Sequence, residues 1–507
     1  MNFKNKLFSK LPFLYISRKE PDKKKAKLIY DGYKAIKSQG LFDKEFYLEK
    51  YPDTASIDSL LHYLFFGFDE GKKPSKEFDG IFYINEYDVD INPLIHYALF
   101  GKEKGYSPRF TKKDLKDIKD DNKKSILYIF HEKINNVGGT GFTTLDIIKS
   151  LDDSYQKFIL TSADGEVELW EYDSKFTKVG HWNIVGYDKN QFFNSDLAAI
   201  YEEILLKLDI NVIHINHLIN HSFDIFNLAN EFNIDYIMSI HDFYYCCPSI
   251  HLVDKDMNYC NLDCCEECDN QKEDVKIWQQ RCFDVLKGAY VNTFPSESTL
   301  EIYRKFYPNL NNYKIIEHGR DIERINVPVS FPEEKIKILF PGFVSKHKGS
   351  LLIDSIKKLD SENKLEFHFL GTTFPNLQCG IAHGRYKRDE FGKIVNEIRP
   401  NYIGLMSICP ETYSHTLTES IATGIPVIVT DLGALKERVE KDNIGWVVNH
   451  RNPEEIYNTI INISKSDYLK KVDNIVNVKL KSSDEMVKEY KELYEGLNEN
   501  NSCNTDI

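Results

Sequence analysis

The chain has 507 residues, of which 42% are hydrophobic, so it is long enough for two or three packed domains. Its net charge of −13 disfavours a broad nucleic-acid-binding surface. No apolar run approaches the roughly 18 residues that cross a bilayer, and Lys10 and Pro12 interrupt the apolar stretch where a signal peptide would lie. We therefore expect a cytoplasmic protein that does not bind nucleic acid.

The first 27 residues are basic and have helical periodicity. They contain nine Lys or Arg residues against two acidic residues, and five apolar residues recur at helical spacing between Phe3 and Leu14. This pattern is typical of an amphipathic helix on an anionic membrane surface. A solvated basic tail is the alternative, because Pro12 weakens a helix. The membrane interpretation predicts peripheral binding to the inner face of the cell membrane through residues 1–27.

The region 28–112 contains two similar segments. "FDKEFYLEKYPD" recurs as "FDGIFYINEYDVD", and "LLHYLFFGFDEGKKPS" recurs as "LIHYALFGKEKGYSPR", in copies at 42–75 and 78–109. Each copy predicts two short helices that end at Gly and Pro. Two copies are too few to be stable alone. We therefore predict a small helical module that packs on the next domain and docks a partner or an acceptor.

Alternating strands and helices begin at residue 125. The first series has apolar strands at 125–131, 157–163, 212–216, 236–242 and 289–296. The second series has them at 335–343, 365–371, 402–410, 426–431 and 445–448. Each series predicts an open parallel sheet covered by helices. The sequence therefore predicts an α/β protein with two Rossmann-like doubly wound domains, 125–325 and 333–480, which face a cleft, followed by a helix at 484–498.

The segment "SICPETYSHTLTESIATGIPVIVTD" (407–431) places two carboxylates around one turn. Glu411 directly follows a strand that ends at Pro410, and Glu419 lies in the first turns of the next helix. Backbone N–H groups at the start of that helix suit an anion such as a pyrophosphate. The residues of this turn are Tyr413, Ser414, His415 and Thr416. Glu419 could bind a ribose diol and Glu411 a sugar beyond the phosphates, which predicts a nucleotide-sugar site.

Glu411-x7-Glu419, followed by "SIATGIPVIVTDLGALKE", resembles the signature of the family 4 retaining glycosyltransferases of the GT-B fold, in the subgroup written "PETYSHTLTE". The resemblance covers roughly residues 125–498. It implies a hexosyl- or deoxyhexosyl-transferase that moves a sugar from a nucleotide-sugar donor to a glycan or lipid-linked glycan acceptor. It also implies a setting in bacterial surface polysaccharide synthesis, and no cofactor required for catalysis.

Other segments resemble further motifs of that family. The glycine-rich turn in "NNVGGTGFTTLDIIKSL" implies that Gly138, Gly139 and Thr140 approach the donor phosphate and the acceptor; an ordinary turn is the alternative. "SIHDFYYCCP" implies that His241 binds a donor sugar hydroxyl, the alternative being a helix-capping His–Asp pair. "EHGRD" resembles the segment that closes the first domain.

"GFVSKHKGS" resembles the family's turn G-x-x-x-x-x-K-G. It implies that Gly342 and Lys348 contact the leaving diphosphate, which needs a cation when the glycosidic bond breaks. Many members carry Arg where this chain has Phe343, so one diphosphate contact is missing or is supplied elsewhere. The candidates for it are Lys346, His347 and Arg320.

Other functions stay open beside transfer, and Phe343 and the repeated segments motivate the first of them. One is a non-catalytic GT-B homologue that binds glycan or stabilises a partner transferase. Another is a sugar-nucleotide epimerase on the same fold, which would turn over the donor without an acceptor. A phosphorylase would need a pyridoxal lysine, for which the sequence has no signature.

Six cysteines lie between residues 246 and 268, in a predicted insertion at 246–282. Four thiolates could bind a structural Zn ion. They are Cys247, Cys260, Cys264 and Cys268. Their spacing is not a paired C-x2-C, and reduced thiols packed in the insertion are the alternative. The D-x-D sequences at 88–90 and 254–256 follow no nucleotide-binding strand, so we predict that both are solvated loops.

Overall fold

The structure is a computed structural model that describes residues 12–54, 58–87, 89–109, 114–134, 138–184, 192–254, 257–260, 275–325, 327–387 and 390–502. Predictions for residues 1–11, Cys264 and Cys268 lie outside the described residues. The chain divides into two compact units. The first contains Met1–Gly141, Asp152–Ile213 and Leu218–Phe232, and the second contains Phe142–Leu151, His214–His217 and Asn233–Ile507.

The described strands form two sheets. The first has the order β4-β3-β2-β1-β5-β6-β7-β8. Its strands are β1 Lys124–Phe130, β2 Tyr155–Ala163, β3 Glu166–Asp173, β4 Lys175–Asn183, β5 Val212–Ile215, β6 Tyr236–Ser239, β7 Val291–Phe294 and β8 Tyr313–Ile315. The second has the order β11-β10-β9-β12-β13-β14. Its strands are β9 Ile336–Val344, β10 Leu365–Thr373, β11 Ile381–Gly384, β12 Tyr402–Leu405, β13 Val427–Thr430 and β14 Gly445–Val448.

Helices precede, connect and follow these strands. Before β1 they are Pro12–Lys19, Lys23–Gln39, Lys44–Lys50, Ser59–His62, Gly80–Tyr87 and Pro93–His96. Between β1 and β8 they are Gly139–Ser150, Ser195–Leu208, Asp224–Glu231, Val275–Gly288 and Glu297–Phe306. After β9 they are Ser350–Leu359, Phe391–Ile398, His415–Ala422, Gly433–Asp442, Pro453–Ile461, Lys465–Asn477 and Ser483–Ser502. Within the described residues, no helix combines the length and apolar character needed to cross a membrane.

The two similar N-terminal segments make corresponding contacts. The Tyr47 hydroxyl and His62 Nδ1 are 2.9 Å apart, and the Tyr83 hydroxyl and His96 Nδ1 are also 2.9 Å apart. Each pair lies under a one-turn π-helix, Tyr63–Gly67 in the first copy and Tyr97–Gly101 in the second. A Cβ atom on the glycine that ends either π-helix would clash with the tyrosine hydroxyl of its own copy. The recurring glycine is therefore a packing requirement.

The second sheet is covered by helices on both faces. Neighbouring residues of β9 point to opposite faces, so Ile338 and Leu339 enter different apolar clusters. The helix Ser350–Leu359 packs into the cluster of Ile338, and the helix His415–Ala422 packs into the cluster of Leu339. All its paired strands are parallel, as expected for a sheet with helices on both faces, and the edge strand β11 is exposed.

The first sheet contains parallel strands and two antiparallel hairpins that share β3. β2 pairs antiparallel with β3, and β3 pairs antiparallel with β4. The turn between β2 and β3 contains Asp164 and Gly165, both with positive φ (55° and 77°). This conformation is typical of a tight hairpin turn. The sequence analysis did not predict this hairpin.

A buried hydrogen-bond network attaches the C-terminal helix to the first sheet's strands. His214 Nδ1 lies 2.7 Å from the Tyr494 hydroxyl, and its Nε2 lies 2.7 Å from Ser239 Oγ. Ser239 Oγ also lies 3.0 Å from both the Tyr490 hydroxyl and Thr293 Oγ1. Burial lowers the pKa of His214 to about 3. The His214 imidazole is therefore neutral in the folded protein at neutral pH.

We expect the free energy of unfolding to fall as the pH decreases below 6.5. His214 takes up a proton near pH 6.5 when unfolded but only near pH 3 when folded, so the unfolded state binds more protons between these values. This one histidine then costs about 1.4 kcal/mol per pH unit. His214→Gln should reduce the slope of stability against pH, measured by urea denaturation between pH 7.5 and 5.

Tyr494→Phe is the matched control. It removes a hydroxyl from the same network but leaves His214 in place, so it should cost about 1 kcal/mol while the slope is retained. Equal slopes for the wild type and His214→Gln would contradict the prediction.

Candidate functional site

A lysine and a carboxylate form an ion pair beside the carboxyl ends of β9 and β12. Lys348 Nζ lies 2.9 Å from Glu411 Oε1, and the Ser407 hydroxyl donates a hydrogen bond to the same oxygen. Burial favours the neutral carboxyl, but Lys348 and Ser407 outweigh it and hold the pKa of Glu411 below its usual value. Burial lowers and Glu411 raises the pKa of Lys348, with a net increase. Both groups are therefore charged at neutral pH.

Two glycines allow the turns that carry this pair to approach closely. Gly349 has φ 83°, and a Cβ there would clash with the Met406 carbonyl at the end of β12. Gly433 has φ 55°, and a Cβ there would lie 2.6 Å from the Glu411 carbonyl oxygen. Beside it, the Ala434 N–H donates to that oxygen at 2.8 Å. The backbone of Glu411 is thus fixed by the start of the helix Gly433–Asp442.

Arg438 holds the turn that follows Glu411. Its Nη1 donates to the carbonyls of Tyr413 and Ser414 at 3.0 Å each, and its Nη2 donates to Thr418 Oγ1 at 2.9 Å. The guanidinium lies 4.0 Å from the centroid of the Tyr413 ring. Ser414 has φ 71°, and its hydroxyl accepts from the Leu417 N–H at 3.3 Å. Arg438 therefore stabilises a strained N-cap, and sequence reasoning did not identify it.

Three imidazoles stack next to this turn. The ring of His318 lies 5.3 Å from that of His241 and 5.4 Å from that of His415, with interplanar angles of 19° and 14°. The Tyr413 hydroxyl donates to the His318 carbonyl at 2.7 Å, and Thr412 Oγ1 donates to the His241 carbonyl at 2.6 Å. The structure therefore brings the predicted residues His241 and His415 together through His318, which sequence reasoning missed.

Two of these imidazoles are neutral at physiological pH. Burial lowers the pKa of His241 to about 3 and that of His318 well below its usual value. His241 Nε2 and His318 Nδ1 are buried and have no hydrogen-bond partner within the described part of the chain. A neutral imidazole nitrogen of this kind can donate to or accept from a ligand hydroxyl.

Glu419 lies in the helix His415–Ala422, and its partner is Arg320. Glu419 Oε1 is 3.5 Å from Arg320 Nη1, and both side chains are largely buried. Burial raises the pKa of Glu419, although Arg320 lowers it in part. Both residues line a pocket of about 500 Å³, to which Phe391 and Lys393 also contribute. This pocket has the size of a small-molecule site.

The last residues of β9 and the turn after it contain the remaining residues predicted for the diphosphate. Gly342 has φ 89°, and a Cβ there would lie 3.8 Å from Thr416 Oγ1. Phe343 is 60% exposed. The ring of His347 stacks on that of His251 at 4.1 Å, and burial lowers the pKa of His347 to about 4. His251 is a further residue that sequence reasoning missed.

The glycine-rich turn belongs to the first compact unit. The Gly138 N–H donates to Glu132 Oε2 at 2.8 Å, and the helix Gly139–Ser150 includes Thr140 in its first turn. Its later residue Thr143 belongs to the second unit, where Thr143 Oγ1 lies 3.1 Å from His415 Nε2. Proximity of the glycines to a ligand stays a prediction.

The zinc site also stays a prediction. Cys247 and Cys260 are half-buried thiols, and their two predicted co-ligands lie outside the described residues. Among the residues that the structure does describe, no group of three or more His, Cys, Asp or Glu side chains has a metal-binding arrangement.

Residues 321–479 match the family model of the glycosyl transferases group 1. Among curated proteins, none matches the chain significantly. The structure is similar to sucrose-phosphate synthase from Thermosynechococcus elongatus, with a TM-score of 0.51 and 13% identity over 74% of this chain and 99% of that chain. It is also similar to HepE of Anabaena in complex with UDP and glucose, with a TM-score of 0.50 and 14% identity over 73% of this chain and 99% of that chain.

These likenesses confirm the predicted fold class. The chain is an α/β protein with parallel-sheet Rossmann-like domains of the GT-B type and an N-terminal helical region. It carries a glycosyl transferases group 1 domain at 321–479, which contains both carboxylates of the E-x7-E signature and Lys348.

Gly433→Ala should destabilise the protein more than Gly424→Ala. Both glycines have positive φ (55° and 74°), where an alanine costs about 1 kcal/mol. Gly433→Ala adds a clash with the Glu411 backbone, whereas the nearest atom to a Cβ at Gly424 is 3.6 Å away. The clash should add about 1–3 kcal/mol, measured by urea denaturation. Equal losses in the two variants would show that the close approach at Glu411 does not occur.

Proposed function

We propose that the chain is a retaining glycosyltransferase that moves a hexosyl or deoxyhexosyl group from a nucleotide sugar to a glycan or lipid-linked glycan acceptor. The observation that carries the proposal is the Lys348–Glu411 ion pair, with 2.9 Å between Nζ and Oε1, at the strand ends of a group 1 transferase domain. Ligands of open α/β sheets bind at the carboxyl ends of the strands.

The donor nucleotide is proposed to lie between Lys348 and Glu419. Lys348 would contact the diphosphate, together with the start of the helix His415–Ala422. Glu419 would accept hydrogen bonds from the ribose hydroxyls, and the pocket of about 500 Å³ beside it would hold the nucleoside. HepE of Anabaena, which has a similar fold, forms a complex with UDP and glucose, and this supports a nucleoside diphosphate sugar as the class of donor.

In the proposed reaction, the bond between the anomeric carbon and the leaving phosphate oxygen breaks. The acceptor oxygen forms its bond to the anomeric carbon on the same face, and the acceptor proton passes to the departing phosphate oxygen. Lys348 stabilises the charge that develops on the diphosphate. Glu411 orients the donor ring, and the neutral His241 imidazole hydrogen-bonds to a sugar hydroxyl. These residues supply the required charge, so we propose a reaction that needs no catalytic cofactor.

The N-terminal helix supports a membrane setting for this activity. Phe13 and Leu14 are exposed on the helix Pro12–Lys19, whose last turn contains Arg18 and Lys19. Exposed apolar side chains beside basic residues favour an anionic lipid surface. We therefore propose peripheral binding at the inner face of a bacterial membrane, where a lipid-linked acceptor for surface polysaccharide would be available.

The full chain should sediment with phosphatidylglycerol vesicles and not with phosphatidylcholine vesicles, and this binding should weaken as salt increases. Phe13→Ala combined with Leu14→Ala should reduce the bound fraction by about tenfold, because two side chains lose their burial in lipid. Phe374→Ala, which changes an exposed aromatic residue elsewhere, serves as the control and should bind normally. Equal sedimentation with both lipids would contradict the membrane proposal.

Nucleotide release is the direct test of transfer. The wild type should release nucleotide from one member of a panel of UDP-, GDP- and dTDP-sugars. Lys348→Ala should lower kcat by about 100-fold or more, because the leaving diphosphate loses its cation, and Glu411→Ala should abolish release. Lys358→Ala, which removes an exposed lysine paired with Asp354, should leave release unchanged.

The opposite outcome has a defined meaning. No release and no binding with any donor would favour a non-catalytic homologue, which Phe343 motivates because it is exposed at a position where the resemblance implies an arginine. Release without transfer to any acceptor, with the sugar recovered in altered configuration, would indicate an epimerase.

A further inference from the structure

A charged pocket of about 600 Å³ lies in the first compact unit, and none of the residues that line it is assigned to sugar transfer. It forms where the connection between the two N-terminal copies meets the hairpin of β3 and β4. Residues that line it include Phe46, Lys73, Lys76, Asp79, Glu166 and Asn183. Most of the side chains that line this concave site are charged or polar, and packing alone does not explain such a lining.

The charges of this pocket are held in fixed positions by ion pairs. Lys73 Nζ lies 3.0 Å from Glu166 Oε1, and Lys133 Nζ lies 3.1 Å from Glu166 Oε2. Lys178 Nζ lies 2.5 Å from Asp79 Oδ2. Burial would raise the pKa of Glu166, but Lys73 and Lys133 outweigh it and lower that pKa to about 2. The carboxylates are therefore permanent hydrogen-bond acceptors, and the lysines are permanent donors.

Stability alone does not explain such a network, because buried ion pairs can often be replaced by packed apolar residues without loss of stability. Lys178 is almost fully buried, and Lys73 and Glu166 remain partly accessible from the pocket. Side chains that are held in place by their neighbours and remain accessible bind a polar ligand with little loss of conformational entropy.

One aromatic ring in this pocket is more exposed than its counterpart in the second copy. Phe46 and Phe82 occupy corresponding positions, since each N–H donates to the capping carboxylate of Asp43 or Asp79 at 3.0 Å. Phe82 is 8% exposed, whereas Phe46 is only partly buried and lines the pocket. A ring beside fixed donors and acceptors matches the two surfaces of a sugar, which has an apolar C–H face and hydroxyl edges.

The net positive charge of the pocket favours a saccharide with an anionic group over a neutral one. Lys76 is exposed and forms no ion pair with any carboxylate that the structure describes. Arg109 pairs with the exposed Glu77 at 3.0 Å. The residues that line the pocket carry four positive charges (Lys50, Lys73, Lys76 and Arg109) and three negative charges (Glu77, Asp79 and Glu166), which leaves one positive charge. The carboxylates of Asp79 and Glu166 oppose a polyanion such as nucleic acid.

We propose that this pocket, which we call the junction pocket, binds an oligosaccharide that carries an anionic group, either a carboxylate or a phosphate. The choice of a glycan over other polar ligands rests on the proposed transferase function, because a glycan is the molecule that such an enzyme extends. Phe46 packs on the apolar face of a sugar ring, Glu166 and Lys73 bind its hydroxyls, and Lys76 pairs with the anionic group.

The test is binding of the full-length chain to a printed array of neutral, uronate-containing and phosphate-bearing oligosaccharides, without any nucleotide sugar. The wild type should bind anionic glycans in preference to neutral ones. Phe46→Ala and Lys76→Ala should each weaken this binding by about tenfold. Phe100→Ala is the matched control, because it removes an exposed ring from the same module outside the pocket and should bind like the wild type.

Each outcome decides the proposal. Binding to the uronate-containing or to the phosphate-bearing oligosaccharides supports the proposal and identifies the anionic group. Absence of binding, equal binding of neutral glycans, or equal binding by Phe46→Ala and the wild type overturns it. Loss of binding in Glu411→Ala but not in Phe46→Ala would place the glycan at the transfer site and also overturn it. Nucleotide release, measured separately, decides the transferase proposal whatever the array shows.

Discussion

The close backbone approach around Glu411 is the constraint on which the proposed transfer site depends. Gly349 lets the turn after β9 touch the end of β12, and Gly433 lets the next helix begin against the Glu411 backbone. β9 and β12 are neighbours in a parallel sheet, so the segments that follow them leave the sheet at the same edge. The Lys348–Glu411 pair is therefore set by backbone contacts, and the side chains only complete it.

Much of this edge could be predicted because strand ends obey simple rules. Apolar runs located the parallel strands, and the carboxyl ends of parallel strands meet at one edge of a sheet. Lys348 and Glu411 are 63 positions apart in the sequence and 2.9 Å apart between charged atoms. The sequence predicts Glu419 in the first turns of the helix after Pro410, and that helix is observed at His415–Ala422. Their roles in binding a donor stay predictions.

The residues that sequence reasoning missed make contacts between distant parts of the chain, and no local sequence pattern indicates such contacts. His318 stacks between His241 and His415, which lie far from it in the sequence, and Arg438 reaches back to the turn around Tyr413. The missed hairpin is different, because Asp164 and Gly165 between alternating apolar residues are a recognised signal for it. The sequence analysis predicted strands that alternate with helices, and this pattern does not include two consecutive antiparallel strands.

In an ion pair, the more exposed side chain is the one that can contact a ligand. The Lys348 side chain is 38% exposed and that of Glu411 is 13% exposed, so the cation faces outward while its carboxylate is held by Ser407. Lysine has a flexible stem and rotatable donors, whereas Glu411 is fixed at its backbone. In the proposed mechanism, an anionic ligand can thus draw Lys348 away from Glu411 without moving the carboxylate, which is then available to the donor sugar. Lys178, almost fully buried between two carboxylates, lacks this freedom and holds its surroundings in place.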